Sequence, residues 1–384
     1  MHSTTNTAAA APKIYQSFLS NFDDISDLRF KRGVRYKLKP ILILLFLSKL
    51  GGSDSPAEIA DWVRFRFTQL KALLKLEWPR SPHPVTWKRI LDKGLVAQQI
   101  ENLCGQYLQE MSQPGKMELY NLDGKFARRI VAETADSALH LLALAEAEHN
   151  LTIQQTALEA GENEISGARR LLKTVDLENK IISGDAIFAQ KELARQVVEG
   201  GGEYLWKLRA NQGHMYQQAQ EHFLSGADRY LDDARQVEKG HGRICQRQIV
   251  SSFRVTGQME FPYLEQVFKI TRQSEQVKTG KMSEQTIYGI TSLPVEKYSA
   301  EHLLELTRKH WQIENGLHYR RDITFKEDKV KKKSINGGQI MASMNNWAIG
   351  ILRKTGWKNI AQARRYYSVE IEKGLELIIN PITL

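Results

Sequence analysis

The chain has 384 residues, 42% hydrophobic and 26% charged, which excludes a collagen-like or low-complexity protein and leaves room for two or three domains. Lys and Arg exceed Asp and Glu by 54 − 44 = 10. That excess suits a polyanionic partner, nucleic acid before membrane surface, although many soluble proteins are merely basic. Cys104 and Cys245 have neither metal-ligand spacing nor a disulfide framework, which fits a reducing compartment.

Residues 1–13 read as a disordered polar tail without the basic-then-apolar pattern of a secretory signal. From 14 to 115 the periodicity is helical. Leu38–Leu50 ends at Gly51-Gly52, and Ser55-Pro56 opens the next helix with a capping signature. The apolar run Ile41–Leu47 is far short of the roughly 20 residues of a membrane span. No membrane association is expected, and the expected location is cytoplasmic, with the nucleoid when DNA is bound. This basic helical segment is the expected DNA-binding domain, although a solvated charged face is as ordinary a reading of any one of its cations.

The texture changes after Ser112-Gln-Pro-Gly115. Strands are expected from Met117 to Leu122, over 137–145 and 151–158, at Lys180–Gly184 and at Glu203–Leu208, with helices over 163–175 and 189–199. That order predicts a mixed α/β sheet flanked by helices over 116–239. A helix is expected over 214–235. A β-rich insertion follows over 240–297, with a hairpin turn at Lys278-Thr-Gly-Lys281. Helix returns near Ala300 and again near Gly338, so 298–384 is expected to complete the core.

The candidate chemistry rests on three acids. Asp123 and Asp185 are each expected to close an apolar strand beside a glycine. By itself such an Asp is usually a turn residue or helix cap. Glu314 lies on the expected helix between His310 and His318, with Arg321 seven residues on, so the four share roughly one face. Carboxylates converging from strand ends and a later helix are what divalent-metal phosphoryl transfer needs.

The phrases Leu122-Asp-Gly-Lys125 with Arg128, Glu162-Asn-Glu-Ile165, Ser183-Gly-Asp-Ala186, Arg209-Ala-Asn-Gln212, His310-Trp-Gln-Ile-Glu-Asn315 and Phe325-Lys-Glu-Asp328 resemble insertion-sequence transposases of the ISAs type, also called H-repeat-associated proteins. The resemblance runs from about Phe18 to Leu352. It implies a ribonuclease-H-like fold and a DDE site in which Asp123, Asp185 and Glu314 hold two Mg²⁺ or Mn²⁺ ions. It also implies double-stranded DNA as partner (terminal repeats and target) and a homodimer in the synaptic complex. Departures are the residues after Lys125, Arg209 where Lys is usual, Tyr319 in place of Trp, and Arg321 in place of an apolar residue.

Further DNA contacts are expected at Lys125, Arg128, Asn211, Gln212, His310, His318, Arg321 and the run Lys331, Lys332 and Lys333. Ion pairs, helix caps and a solvated run are the ordinary readings of these residues. Asp322, Glu327 and Asp328 could add a metal ligand, but a solvated acidic surface is the expected reading. A zinc site at His310 and His318 has little support from their spacing. The expected activity is DNA strand cleavage and strand transfer. Its rivals are a DNA-binding derivative without activity and a ribonuclease-H-like nuclease that does not join ends.

Overall fold

A computed structural model describes residues 17–32, 34–110, 117–131, 138–210, 213–224, 231–240, 242–253, 259–313, 320–327 and 334–379. The elements begin with helices α1 (Ser17–Ser20), α2 (Leu38–Leu50), α3 (Pro56–Phe65), α4 (Phe67–Leu73), α5 (Pro84–Arg89) and α6 (Ala97–Glu110). Then come β1 (Glu118–Val131), β2 (Ala138–Glu146), β3 (Leu151–Ala157), α7 (Glu164–Leu172), β4 (Lys180–Gly184), α8 (Lys191–Glu199), β5 (Glu203–Leu208) and α9 (His214–Leu224). Strands β6 (Leu231–Gly240), β7 (Arg243–Ser252), β8 (Gln266–Gln276) and β9 (Met282–Thr291) follow. The chain ends with α10 (Ala300–Ile313), α11 (Ile335–Lys354), α12 (Ile360–Val369) and α13 (Ile371–Ile379). None of the described helices is long and apolar enough to cross a membrane.

The chain divides into two compact units, one of residues 1–112 with 324–384 and the other of 113–323. Among its described residues the first unit has helices joined by loops and no strand. Ser55 caps α3 by accepting from Glu58 N, as its sequence predicts. Helix α11 is buried without a break from Gly337 to Leu352, so it needs apolar partners on every side. Phe18 and Phe46 supply part of that shell, with ring centroids 5.7 and 4.7 Å from Trp347. Helix α6 supplies Glu101, which accepts from Gln339 Nε2 at 2.6 Å. The C-terminal helices, expected within the core over 298–384, thus group with the N-terminal ones from Thr324 onward.

The second unit holds a nine-stranded mixed sheet in the order β3-β2-β1-β4-β5-β9-β8-β7-β6. Strands β1, β4 and β5 are parallel neighbours, and the remaining pairs are antiparallel. Two expectations are corrected here. The helix expected over 214–235 is seen over His214–Leu224 but does not extend to 235, because Leu231–Gly240 is a strand whose backbone pairs along its whole length with β7. That pairing overrides a polar sequence with little strand propensity of its own. The strands expected as an insertion start at 231 and extend the sheet itself, since β9 pairs with the otherwise open edge of β5.

Strand alternation assigns the two faces. Tyr120, Leu122, Ile182, Tyr204 and Trp206 pack with α7, α8 and α9 on one face. Leu119, Ile181, Leu205, Phe268 and Leu293 pack with Ala300, Leu303 and Leu304 of α10 on the other. Gly289 lets the Phe268 ring lie flat in that second layer: a Cβ there would meet Phe268 Cζ at 2.1 Å and the Trp206 carbonyl oxygen at 2.7 Å. Gly289→Ala is expected to destabilise the unit by about 2–3 kcal/mol through overpacking. A thermal melt checks this, and an unchanged midpoint would mean that the ring repacks freely.

Candidate active site

The site grows out of one rung of the sheet. Leu122 of β1, Gly184 of β4 and Trp206 of β5 are register partners. The next residue on each strand is Asp123, Asp185 and Lys207. Alternation turns these three side chains toward the face that α10 covers. Asp123 does not close its strand, as its sequence suggested. β1 runs on to Val131 because β2 continues to pair with it, Asp123 lying opposite Ala143. Only the parallel ladder with β4 stops at Leu122, and that stop leaves the two carboxylates side by side beyond the ladder.

Asp185 lies among cations. Lys207 Nζ stands 3.2 Å from Oδ1, and Arg209 Nη2 stands 3.2 Å from Oδ2. His310 Nε2 lies 3.7 Å from Oδ1, a charge contact when the imidazole carries both protons. The His310 imidazole, with Lys207 and Arg209, holds the Asp185 carboxyl far below the usual carboxylate range despite its partial burial. Asp123 Oδ1 accepts from the Gly124 amide at 2.9 Å.

His310 is fixed from below. Ser183 Oγ donates to Asn121 Oδ1 at 2.6 Å and lies 2.9 Å from His310 Nδ1. With the hydroxyl proton given to Asn121, Nδ1 is the donor to Ser183 and Nε2 faces Asp185. All three groups lie on the α10 face, because Asn121 and Ser183 are register partners two residues before the acids.

The chain returns to the sheet after α10 through the single turn Arg320–Thr324. Asp322 accepts from Lys125 Nζ, two residues beyond Asp123 on the same face of β1. Arg321 is fully buried, and its Nη1 donates to Gln155 Oε1 of β3 at 3.3 Å. His310 over β4 and Asp322 over β1 therefore anchor the chain on either side of the two aspartates. Between these anchors in sequence lies Glu314, which follows directly on Ile313.

The expected DNA contacts fare differently. Lys125, His310 and Arg321 are buried, at 8%, 6% and 0% exposure. The contacts described for them are with protein side chains that shape the acid face. Arg128 lies in β1, with only its backbone described. Glu314, His318, Asn211, Gln212, Lys331, Lys332 and Lys333 lie outside the described residues. Glu327 is corrected from a solvated acid to a buried one, 2% exposed and accepting from Asn345 Nδ2 at 3.0 Å.

Lys207 was not singled out from the sequence. Its signal was there: a charge between the apolar Trp206 and Leu208 of the strand Glu203–Leu208, spaced by two from Leu205 and Arg209.

Divalent ions of the Mg²⁺ class take carboxylate oxygens. Two carboxylates, each one residue past the last paired position of adjacent parallel strands, one of them held ionised, fit such an ion. Among the described residues a separate cluster, Glu146, Glu148 and His149, also brings three ligand-type atoms within 4.8 Å of one another. There, however, Glu146 accepts from the Glu148 and His149 amides, the arrangement of a capped turn.

The family described as "Transposase DDE domain" matches residues 125–351, more than half of the chain. The match takes in Asp185 and Glu314 and begins two residues after Asp123. A second family, "DDE_Tnp_1-associated", matches residues 19–108. The chain is 26% identical over 349 residues to "H repeat-associated putative transposase YhhI" of Escherichia coli (strain K12), covering 88% of this chain and 90% of that protein. It is 26% identical over 346 residues to "Putative transposase YncI" of Escherichia coli O157:H7, covering 88% and 87%. It is also 40% identical over 129 residues to "Uncharacterized protein in dhlA 3'region" of Xanthobacter autotrophicus, covering 33% of this chain and 44% of that protein. With a family match over residues 125–351, which takes in most of the sheet and α10, the chain belongs to the DDE transposase family.

Proposed function

We propose that the chain is an insertion-sequence transposase that binds the element's terminal repeats, cuts DNA at their ends and joins the freed ends to target DNA. The observation that carries this reading is that Asp123 and Asp185 each lie one residue past the Leu122–Gly184 rung, with the chain anchored at His310 and Asp322 on either side of Glu314 in sequence. Asp123, Asp185 and Glu314 are the residues that would hold two divalent ions, Mg²⁺ or Mn²⁺. Such ions activate the attacking oxygen and stabilise the leaving one. The strand order β3-β2-β1-β4-β5, antiparallel and then parallel, supports a ribonuclease-H-like core. Strands β6–β9 then form an extension inserted between the second and third acids.

In cleavage, water attacks the scissile phosphorus, loses a proton to solvent, and the element's 3′ oxygen leaves as a hydroxyl. In joining, that hydroxyl attacks a target phosphodiester, so one P–O bond forms as another breaks and no covalent enzyme intermediate is needed. Lys207, Arg209 and His310 keep Asp185 anionic throughout. Lys207 of β5 and Arg209 just beyond it would meet phosphate oxygens when DNA arrives. Two copies acting on two element ends complete the synapse.

The test is incubation of the purified chain with a supercoiled plasmid carrying the element's ends. Nicked and joined products are expected with Mg²⁺ or Mn²⁺. They are expected to vanish with a chelator and to return when the metal is restored. Nicking that survives chelation would sink the metal site. Nicking without joined products would favour a nuclease, and metal-independent binding alone would favour a DNA-binding derivative.

A further inference from the structure

A second charged surface lies wholly within the helical unit. A groove of about 1230 Å³ is bounded by residues 28–30, 32 and 34–36, by Ala60, Asp61 and Arg64 of α3, and by residues 80–86, 88–90 and 92–94. Its lining carries eight Lys and Arg side chains against two Asp. Three of the cations have carboxylate partners. Arg29 pairs with Asp27 at 2.6 Å, Arg64 with Asp61 at 2.8 Å, and Lys88 with Asp92 at 2.5 Å. The other five, Arg32, Arg35, Arg80, Arg89 and Lys93, are exposed and have no carboxylate partner among the described residues.

The walls are pinned rather than loose. Leu28 N donates to Gly94 O at 3.1 Å. Tyr36 stacks edge-on against Trp78 at 4.8 Å, and both are buried. Gly94 is close-packed, since a Cβ there would meet Arg29 Cγ at 3.2 Å. Within this cationic setting Phe30 is 91% exposed, an aromatic ring without cover. Five like charges gathered in one groove repel one another, so the arrangement weakens the free protein and is relieved by a polyanion. A small anion would engage one or two of them. A partner that spans three chain segments and also offers apolar surface to a phenyl ring is a nucleic acid duplex, with its phosphate rows and its base and sugar edges.

We propose that this groove is where the chain docks duplex DNA, with Arg32, Arg35, Arg80, Arg89 and Lys93 on phosphates and Phe30 against the groove edge of the bases. The choice of DNA as the polyanion rests on the transposase reading above. The location of the groove rests on this unit alone.

The test uses the full chain, a fluorescent random-sequence duplex and a salt series. The triple variant Arg35→Gln, Arg80→Gln, Arg89→Gln is expected to bind at least about tenfold more weakly at moderate salt, with the slope of log affinity against log salt reduced by about 2–3. Arg→Lys at the same three positions is expected to keep the slope. Phe30→Ser is expected to weaken binding with the slope unchanged, because the ring releases no counterions. All four positions are exposed, so melting temperatures are expected to match the wild type and to separate binding from folding. A triple variant with wild-type affinity and slope would overturn the proposal, as would tighter binding of single strands than of duplex. Failure of the transposase reading looks different: wild-type protein would bind the duplex with the full slope yet cut nothing when given a plasmid carrying the element's ends with Mg²⁺ or Mn²⁺.

Discussion

Asp185→Asn is expected to lower metal-dependent strand cleavage by at least about a thousandfold, a loss of roughly 4 kcal/mol of transition-state stabilisation. Duplex binding is expected to hold or tighten slightly. The amide keeps the shape of the side chain but removes a metal ligand's charge. It also releases Lys207 and Arg209 from the carboxylate they flank at 3.2 Å. Arg209 is 66% exposed, so its freed charge finds solvent or phosphate rather than a buried void. Plasmid nicking and duplex binding measured on the same preparation check this, and retained cleavage would sink the assignment of Asp185.

The pH dependence has a defined sign. Asp185 titrates below its ordinary value of 3.8 in the folded chain, so its contribution to stability is complete above that value and is lost as pH falls below it. An acid limb in the cleavage profile at higher pH would therefore have to come from another group.

The second large effect is in the helical unit. Asp54→Ala is expected to destabilise the chain by about 3–5 kcal/mol, because Lys49 and Arg364 are left as buried cations without their carboxylate. Lys49 and Arg364 each approach Asp54 Oδ1, at 2.6 and 2.7 Å, and all three side chains are under 10% exposed. Both cations also flank the Phe325 ring, with Arg364 Cζ at 4.1 Å and Lys49 Nζ at 5.0 Å from its centroid. Arg364 Nη1 donates to the Thr324 carbonyl at 3.0 Å. The triad thus fastens the chain where it enters this unit after the acid face. A lowering of the melting midpoint on the order of 10 °C is expected. Replacing Lys49, Asp54 and Arg364 together by apolar residues is expected to restore part of it. A midpoint unchanged in Asp54→Ala would mean that water reaches the two cations. Burial pushes the Asp54 carboxyl up, yet Lys49 and Arg364 together bring it below 3.8. Its contribution is therefore full above that pH and fails as pH falls below it.

The sequence by itself determined the local elements whose signals are local. Lys180–Gly184 and Glu203–Leu208 are strands with the expected bounds, and the Ser55 cap and the turn before Lys281 lie where their residue types require. It also determined the family, because several short phrases recur in order over most of the chain. What only the tertiary structure decided is what depends on pairing between distant segments. That Asp123 sits within a long strand follows from β2, which is not legible in the residues around it. That Leu231–Gly240 is a strand follows from β7. That Lys125 and Arg321 are buried in the sheet face, and that Phe325 and Glu327 belong to the helical unit, follows from partners distant in sequence, such as Asp322 for Lys125 and Lys49 for Phe325. Side-chain periodicity tells which face a residue shares with its neighbours in the chain. It does not tell which other segment will cover that face, because burial is settled by long-range packing rather than by local conformation.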